Sequence, residues 1–286
     1  MKANVHIPDG FLSTPVWATL DALALPATGF AARAAQRGFD ESKAPLLGVM
    51  GAFIFAAQMI NFPVGMGTSG HLVGGALLAC TLGPAPASVV MTAILAIQAF
   101  VFQDGGVLAL GPNVLNMAVA GVLAGYLPYH LWGGGRFRRA AIFAGGVLSV
   151  LASAVLALSE LLLSGVRMPP SVLAVSLGLF LVSALLEGAI TMAVVSALER
   201  IQPGFVRQPA SAPALLLGGL GLFAVLLAAG GVVFASTAPD GIDSLAIRSG
   251  IAKPLAAYGS GASVAGVVLI FLLLLAGGRM MRRRSA

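Results

Sequence analysis

Long apolar stretches alternate along this chain with short breaks that are charged or rich in glycine and proline. A membrane span needs roughly 20 apolar residues, or fewer where neighbouring helices shelter it. Reading each run out to its bounding charges or Gly/Pro cluster predicts about nine helices, at 13–35, 45–62, 70–82, 88–103, 107–130, 140–164, 172–199, 213–236 and 260–278. The third is short and the first carries Pro26. The predicted fold is therefore all-α, a polytopic membrane helix bundle. The pattern changes character at IQPGFVRQPASAP, residues 201–213, which predicts a membrane domain at 1–205 and a two-helix membrane module at 206–286. The final hairpin encloses an outer loop, STAPDGIDSLAIRSGIAKPLAAYGS, at 236–260.

Composition supports the membrane assignment. Of 286 residues, 58% are hydrophobic and 9% are charged, against about 25% charged in soluble domains. So few charges cannot cover the surface of a soluble protein this long. The 37 glycines point the same way, because glycine is frequent where membrane helices pack closely. Disorder and nucleic-acid binding are disfavoured, and the net charge of +6 has another explanation. Lys and Arg fall between apolar runs, where they orient a chain in a bilayer. With the amino terminus outside, the inner side receives Arg33, Arg37, Lys43, Arg136, Arg138, Arg139, Arg200, Arg207, Arg279, Arg282, Arg283 and Arg284. Only Lys2, Arg167, Arg248 and Lys253 are left outside. This predicts an odd number of spans, with the carboxyl terminus in the cytoplasm. Met1 to Val5 contains no apolar core of a secretory signal, and the single Cys80 reads as a small packed residue.

Few residues are left to carry chemistry. This topology places His6 and His71 on the outer side and His130 near the inner face. Two imidazoles on one side could share a metal of the Ni, Co, Cu and Zn group; the alternative is two separate, hydrogen-bonded histidines. HIPDGFLS at 6–13 and NFPVGMGTSGH at 61–71 are irregular, nearly uncharged segments next to spans. Irregular backbone near membrane depth needs protein or a wet cavity around it, so both are candidate walls of one outward pocket. Asp104, in the turn QDGG at 103–106, either supports that pocket or is a plain turn aspartate. Asn113 and Asn116 lie three apart on one helix face and read as interhelical or supporting amides, and Ser69 as a further support. Glu187 falls in the middle of the seventh predicted span, where an ionisable group is costly; gating and packing are both open readings.

Two enzyme readings are weighed against these. Ser69 beside Gly70 could be the nucleophile of an intramembrane serine protease, with His130 as its base, yet the topology separates the pair by roughly the ~30 Å of a hydrocarbon layer. ATP hydrolysis lacks its GxxxxGK[ST] motif, since Lys2, Lys43 and Lys253 follow Met1, Ser42 and Ala252. Energy for any transport must then come from elsewhere. A metal-free structural membrane protein is the third reading.

HIPDGFLS at 6–13, NFPVGMGTSGHLVGG at 61–75 and FQDGGVLALGPNVLNMAVAG at 102–121, taken together and in order, resemble the CbiM/NikM family. These are the substrate-binding components of energy-coupling-factor transporters for cobalt and nickel. The resemblance runs over roughly 5–205, and APDGID at 238–243 is similar to the small two-span CbiN/NikN, or PDGLE-type, component, here fused. The resemblance implies binding of Ni(II) or Co(II) at the outer face and its uptake through the membrane. It implies no cofactor, a transmembrane coupling (T) protein and cytoplasmic ATPase (A) subunits as partners, and no nucleic acid. It also implies a metal held by the chain's amino terminus, the next residue's amide and imidazole, and a later loop histidine. Carried over, these are main-chain nitrogen of Val5, His6 and His71. Four nitrogens in a plane suit Ni(II) or Cu(II). In the family the histidine is the second residue of the mature chain, whereas MKANV precedes it here. The expectation is a mature terminus at Val5, through a GTG start codon read elsewhere as valine or through trimming.

Overall fold

The computed structural model describes residues 6–37, 43–65, 68–203, 205–206, 218–227 and 267–273. In chain order these form α1 (Thr14–Arg37), α2 (Ala44–Gln58), β1 (Asn61–Gly65), β2 (Thr68–His71), α3 (Gly75–Leu82), α4 (Pro84–Phe102), α5 (Leu110–Trp132), α6 (Arg138–Leu163) and α7 (Pro170–Ile201). A short apolar helix, Gly218–Leu227, and helical residues 267–273 follow. The predicted spans at 213–236 and 260–278 otherwise lie outside the described residues, as do the 236–260 loop and Val5.

Helices α1, α5, α6 and α7 begin and end within a few residues of the predicted runs, and Pro26 sits inside a continuous α1. Helix α4 starts four residues before its predicted 88, because Pro84 occupies the first turn, where its missing N–H leaves no bond unmade. The all-α expectation needs one correction. The facing ends of the predicted helices 45–62 and 70–82 are a β-hairpin, with Asn61 opposite His71, Phe62 opposite Gly70 and Pro63 opposite Ser69. Pro63 cannot donate to a helix ladder, and Gly65 and Gly70 weaken helix formation further. Hydropathy is high enough here to hide a change of backbone.

Among the described residues, α4, α5, α6 and α7 are long and apolar enough to cross a membrane. The shortest, α4, has 19 residues, about 28 Å at the helical rise. The chain is thus membrane-embedded. Its outward-facing positions carry large apolar side chains, including Phe100, Leu127, Leu163 and Leu185. Inside, the helices meet through small residues. A Cβ at Gly125 of α5 would lie 2.8 Å from the Ala76 Cβ of α3, and one at Gly146 of α6 would lie 2.6 Å from the Gly188 Cα of α7. In lipid, where apolar surface gains little from leaving one apolar neighbour for another, such backbone proximity supplies dispersion contacts.

Helix α5 is π-helical over Val114–Gly121. The wider turn disturbs the backbone ladder, and the Asn116 carbonyl accepts a bond from Ser153 Oγ of α6 at 2.9 Å. Stretches of π-helix often accompany functional sites; here Asn113, which contacts the amino-terminal segment, immediately precedes the widened turn.

Candidate metal site

The amino-terminal segment is fixed to the turn between α4 and α5 by a series of backbone bonds. Ile7 N–H donates to Asn113 Oδ1 at 2.8 Å, and Asn113 Nδ2 donates back to the Ile7 carbonyl at 3.1 Å. Gly106 N–H donates to the same carbonyl at 2.9 Å. Asp9 accepts from the N–H groups of Val107 and Leu108, at 3.1 and 2.8 Å. Inside α1, Asp21 accepts from Gly111 N–H at 2.6 Å. Gly105 lies against the segment with φ of +85°, and a Cβ there would come within 3.0 Å of His6 Cβ. The QDGG turn therefore needs a glycine here both for its dihedral and for the histidine it covers.

His71 ends β2 and is placed from the other side. Its Nδ1 lies 2.8 Å from the Leu72 carbonyl. A proton on Nδ1 satisfies that bond and presents the Nε2 lone pair to a ligand, the usual way a metal-binding histidine has its tautomer fixed. The next residues are held firmly. The carboxylate of Glu187 accepts Val73 N–H at 2.7 Å and Gly74 N–H at 2.8 Å, and Gln58 Nε2 donates to the Val73 carbonyl at 2.8 Å.

These two constructions bring His6 and His71 together, with ring centroids 5.9 Å apart and planes at 42°. They are 1% and 3% exposed. Asp104 joins them, its Oδ1 lying 3.6 Å from His6 Nδ1. Neither ring nitrogen of His6 has a hydrogen-bond partner among the described residues, which leaves two buried polar atoms that water no longer serves. Burial, reinforced by the neighbouring His6 ring, pushes the His71 pKa down to about 4. Its neutral, metal-binding form is therefore the resting form at neutral pH. Among the described residues, no three His, Cys, Asp or Glu side chains converge as a complete metal cage.

Of the remaining candidates, Asn113 belongs to this site through Ile7, and Ser69 is buried in β2 two residues from His71. Asn116 points elsewhere: its Nδ2 donates to Glu160 Oε2 of α6 at 2.9 Å. His130 sits in the last turn of α5 beside Tyr126, at 5.6 Å between rings. It is 17 residues beyond Asn113, roughly 25 Å along the helix. Ser69 and His130 thus occupy opposite ends of the bundle and form no nucleophile and base pair. Sequence patterns alone assign no role to Asp9, Gln58 and Gln98. The two glutamines do carry a visible signal, since an amide within an apolar span must find a partner inside the protein.

The family model described as the cobalt uptake substrate-specific transmembrane region, CbiM, matches residues 6–205. The chain belongs to the CbiM family. A Haloquadratum walsbyi protein named as a putative metal transport protein is 39% identical over 204 residues, covering 71% of this chain and 93% of that protein. An Archaeoglobus fulgidus protein named as a putative fused nickel transport protein, NikMN, is 36% identical over 219 residues, covering 74% of this chain and 72% of that one. The crystal structure of a truncated transition metal transporter is 33% identical and superposes with a TM-score of 0.61, covering 68% of this chain and 99% of the other. This CbiM-family protein is accordingly a cobalt/nickel transport component of the membrane rather than an enzyme, and the serine-protease and structural-protein readings give way to metal transport.

Proposed function

We propose that this CbiM-family protein is the substrate-specific component of an energy-coupling-factor transporter. It binds Ni(II) or Co(II) between the amino-terminal segment and β2, at the outer face of a bacterial-type cytoplasmic membrane. The observation that carries the reading is the pair of buried imidazoles from His6 and His71, 5.9 Å apart, with the His6 nitrogens left without hydrogen-bond partners among the described residues. Two imidazoles are half of a four-coordinate set. The amine and amide nitrogens of a chain beginning at Val5 would supply the rest, because fused five- and six-membered chelate rings through the amine, the His6 amide and His6 Nδ1 leave one position for His71. Asp104 and Asn113 support the ligands rather than bind, and Ser69 lines the same hairpin.

The membrane arrangement follows the same reading: nine spans, the amino terminus outside and the carboxyl terminus in the cytoplasm. The basic cluster Arg136, Arg138 and Arg139 follows α5 at the end remote from the histidines, as that orientation requires. Residues 206–286 form a fused CbiN/NikN-like module with an extracytoplasmic loop. A transmembrane coupling protein and cytoplasmic ATPases complete the transporter and hydrolyse the ATP; the metal is substrate, and no cofactor takes part.

The test is bound metal per chain, measured on the full protein and on His71→Ala after equilibration with Ni(II) and Co(II), alongside the intact mass of the native protein. The expected results are one metal per wild-type chain, loss of binding in His71→Ala, and a mature chain starting at position 5. Binding that survives His71→Ala, or a mature chain that starts at Met1, overturns the ligand set.

A further inference from the structure

Glu187 is an acid in the middle of α7, 1% exposed, with no basic group paired to it among the described residues. A buried carboxylate in a span carries a large desolvation cost and persists where it has a defined task. Its two oxygens are both used. Oε2 accepts from Val73 N–H and Oε1 from Gly74 N–H, two consecutive amides two and three residues after His71. Gly74 holds φ at +80°, a left-handed value that glycine adopts without strain, where the chain turns from the hairpin into α3. The other face of Val73 is held as well, since its carbonyl accepts from Gln58 Nε2. Gln58 Oε1 accepts in turn from Gln98 Nε2 at 2.8 Å. The Gln98 carbonyl accepts from Asp104 N–H at 2.9 Å, and Asp104 is the acid beside His6. One continuous path of hydrogen bonds therefore runs from Glu187 beneath His71 to the residue flanking His6.

Two amides bonded to one carboxylate fix a backbone in position and rotation, more than a single bond does. We infer that Glu187 is a positioning residue for the metal: through the Val73 and Gly74 amides it sets the depth and angle at which His71 meets the ligands of the amino-terminal segment. This rests on His71 being a ligand, as proposed above. A purely structural account competes with it, because Gly74 also precedes α3 and the carboxylate would cap that helix. The two accounts part over the metal. A cap changes thermal stability, whereas a positioning residue also changes the coordination seen by the ion and does so only while His71 is present.

The experiment uses the full chain with its native amino terminus, purified in detergent, and compares wild type, His71→Ala, Glu187→Gln, Glu187→Asp and His71→Ala/Glu187→Gln. Ni(II) affinity, the visible absorption spectrum of bound Ni(II) and the melting temperature without metal are read on each. Glu187→Gln keeps one acceptor and turns an NH2 toward the second amide, so Ni(II) binding weakens roughly 10- to 100-fold, the usual scale for a group that orients a ligand. The spectrum of its bound Ni(II) departs from that of wild type, and the double variant binds no worse than His71→Ala alone. Glu187→Asp, one methylene short, gives a smaller loss in the same direction and serves as the test should Glu187→Gln not fold. Wild-type Ni(II) affinity and spectrum in the folded Glu187 variants, with binding lost in His71→Ala, overturn the positioning role. Equal and additive losses from Glu187→Gln and His71→Ala do so too. Full binding in His71→Ala instead overturns the underlying ligand set and leaves the Glu187 result with a different meaning.

Discussion

Two regions of this bundle bring distant segments together by opposite means. Around His6 and His71, position is set by directional bonds: Asn113 to both backbone groups of Ile7, Asp9 to two amides, and Glu187 to two more. Where α3, α5, α6 and α7 cross, position is set by absence of side chain, with Gly125 against Ala76 and Gly146 against Gly188. The first region tolerates the loss of a bond at some cost in precision, because the rest of the network still holds the segment. The second has no such slack, since its contacts are backbone against backbone and packed interiors do not yield smoothly. A metal site needs geometry good to fractions of an ångström, and hydrogen bonds deliver that. A helix bundle in lipid needs area of close contact, and glycine delivers that.

The largest effect is expected where the seam is filled. Gly146→Val places two methyl groups into the Gly188 backbone, and overpacking of this kind costs about 1–3 kcal/mol or more. Thermal unfolding in detergent should show a clear drop in melting temperature, with metal affinity preserved in whatever fraction remains folded. A variant that kept its stability and lost its metal would reverse the division drawn here.

A smaller and different effect is expected at Asn113. Asn113→Leu removes the acceptor for Ile7 N–H and one donor to the Ile7 carbonyl, while Gly106 still serves the carbonyl. Leaving the buried amide unsatisfied costs about 1 kcal/mol of stability, the low end for such a group, because the Ile7 carbonyl keeps its bond from Gly106. The metal should feel the change more than the fold, with Ni(II) or Co(II) affinity falling roughly 10-fold or more by equilibrium dialysis. An unchanged affinity would mean that His6 is positioned by something other than the Ile7 backbone.

The smallest effect belongs to the partly exposed ion pair of Arg138 and Glu199, which joins the start of α6 to the end of α7. Arg138 also donates to the Gly133 carbonyl at 2.9 Å, so it keeps a partner when Glu199 is neutralised. Glu199→Gln should shift stability by less than about 1 kcal/mol and leave metal binding unaltered. A large loss of metal affinity from this remote change would show that the two regions are coupled through α7.

Much of the site is legible in the chain's local patterns. His6 and His71 stand in short, nearly uncharged segments that a membrane protein has little other reason to keep irregular, and Asp104 lies in a glycine turn of the same kind. Asn113 and Asn116 look equivalent in sequence because helical spacing puts both on one face. The structure separates them, one to Ile7 and the other to Glu160, because the π-helical segment begins between them and changes the angle per residue. The segment 61–71 reads as an irregular stretch between two helices, and its pairing into a hairpin is not visible because the buried strand Thr68–His71 carries no alternation of apolar and polar residues.

The sequence by itself determined that this protein lives in a membrane, where its helices α4 to α7 run, and which two histidines stand apart, because hydropathy and short motifs are properties of neighbouring residues. Tertiary structure alone decided the bonding of Glu187, the pairing of Gln58 with Gln98 and the approach of His6 to His71. Val73 and Glu187 are 114 residues apart, and Ile7 and Asn113 are 106 apart. No local pattern specifies such a partner. It is fixed when the small-residue contacts set the helices at one spacing and each buried polar group must then bond to whatever polar group that spacing puts within reach.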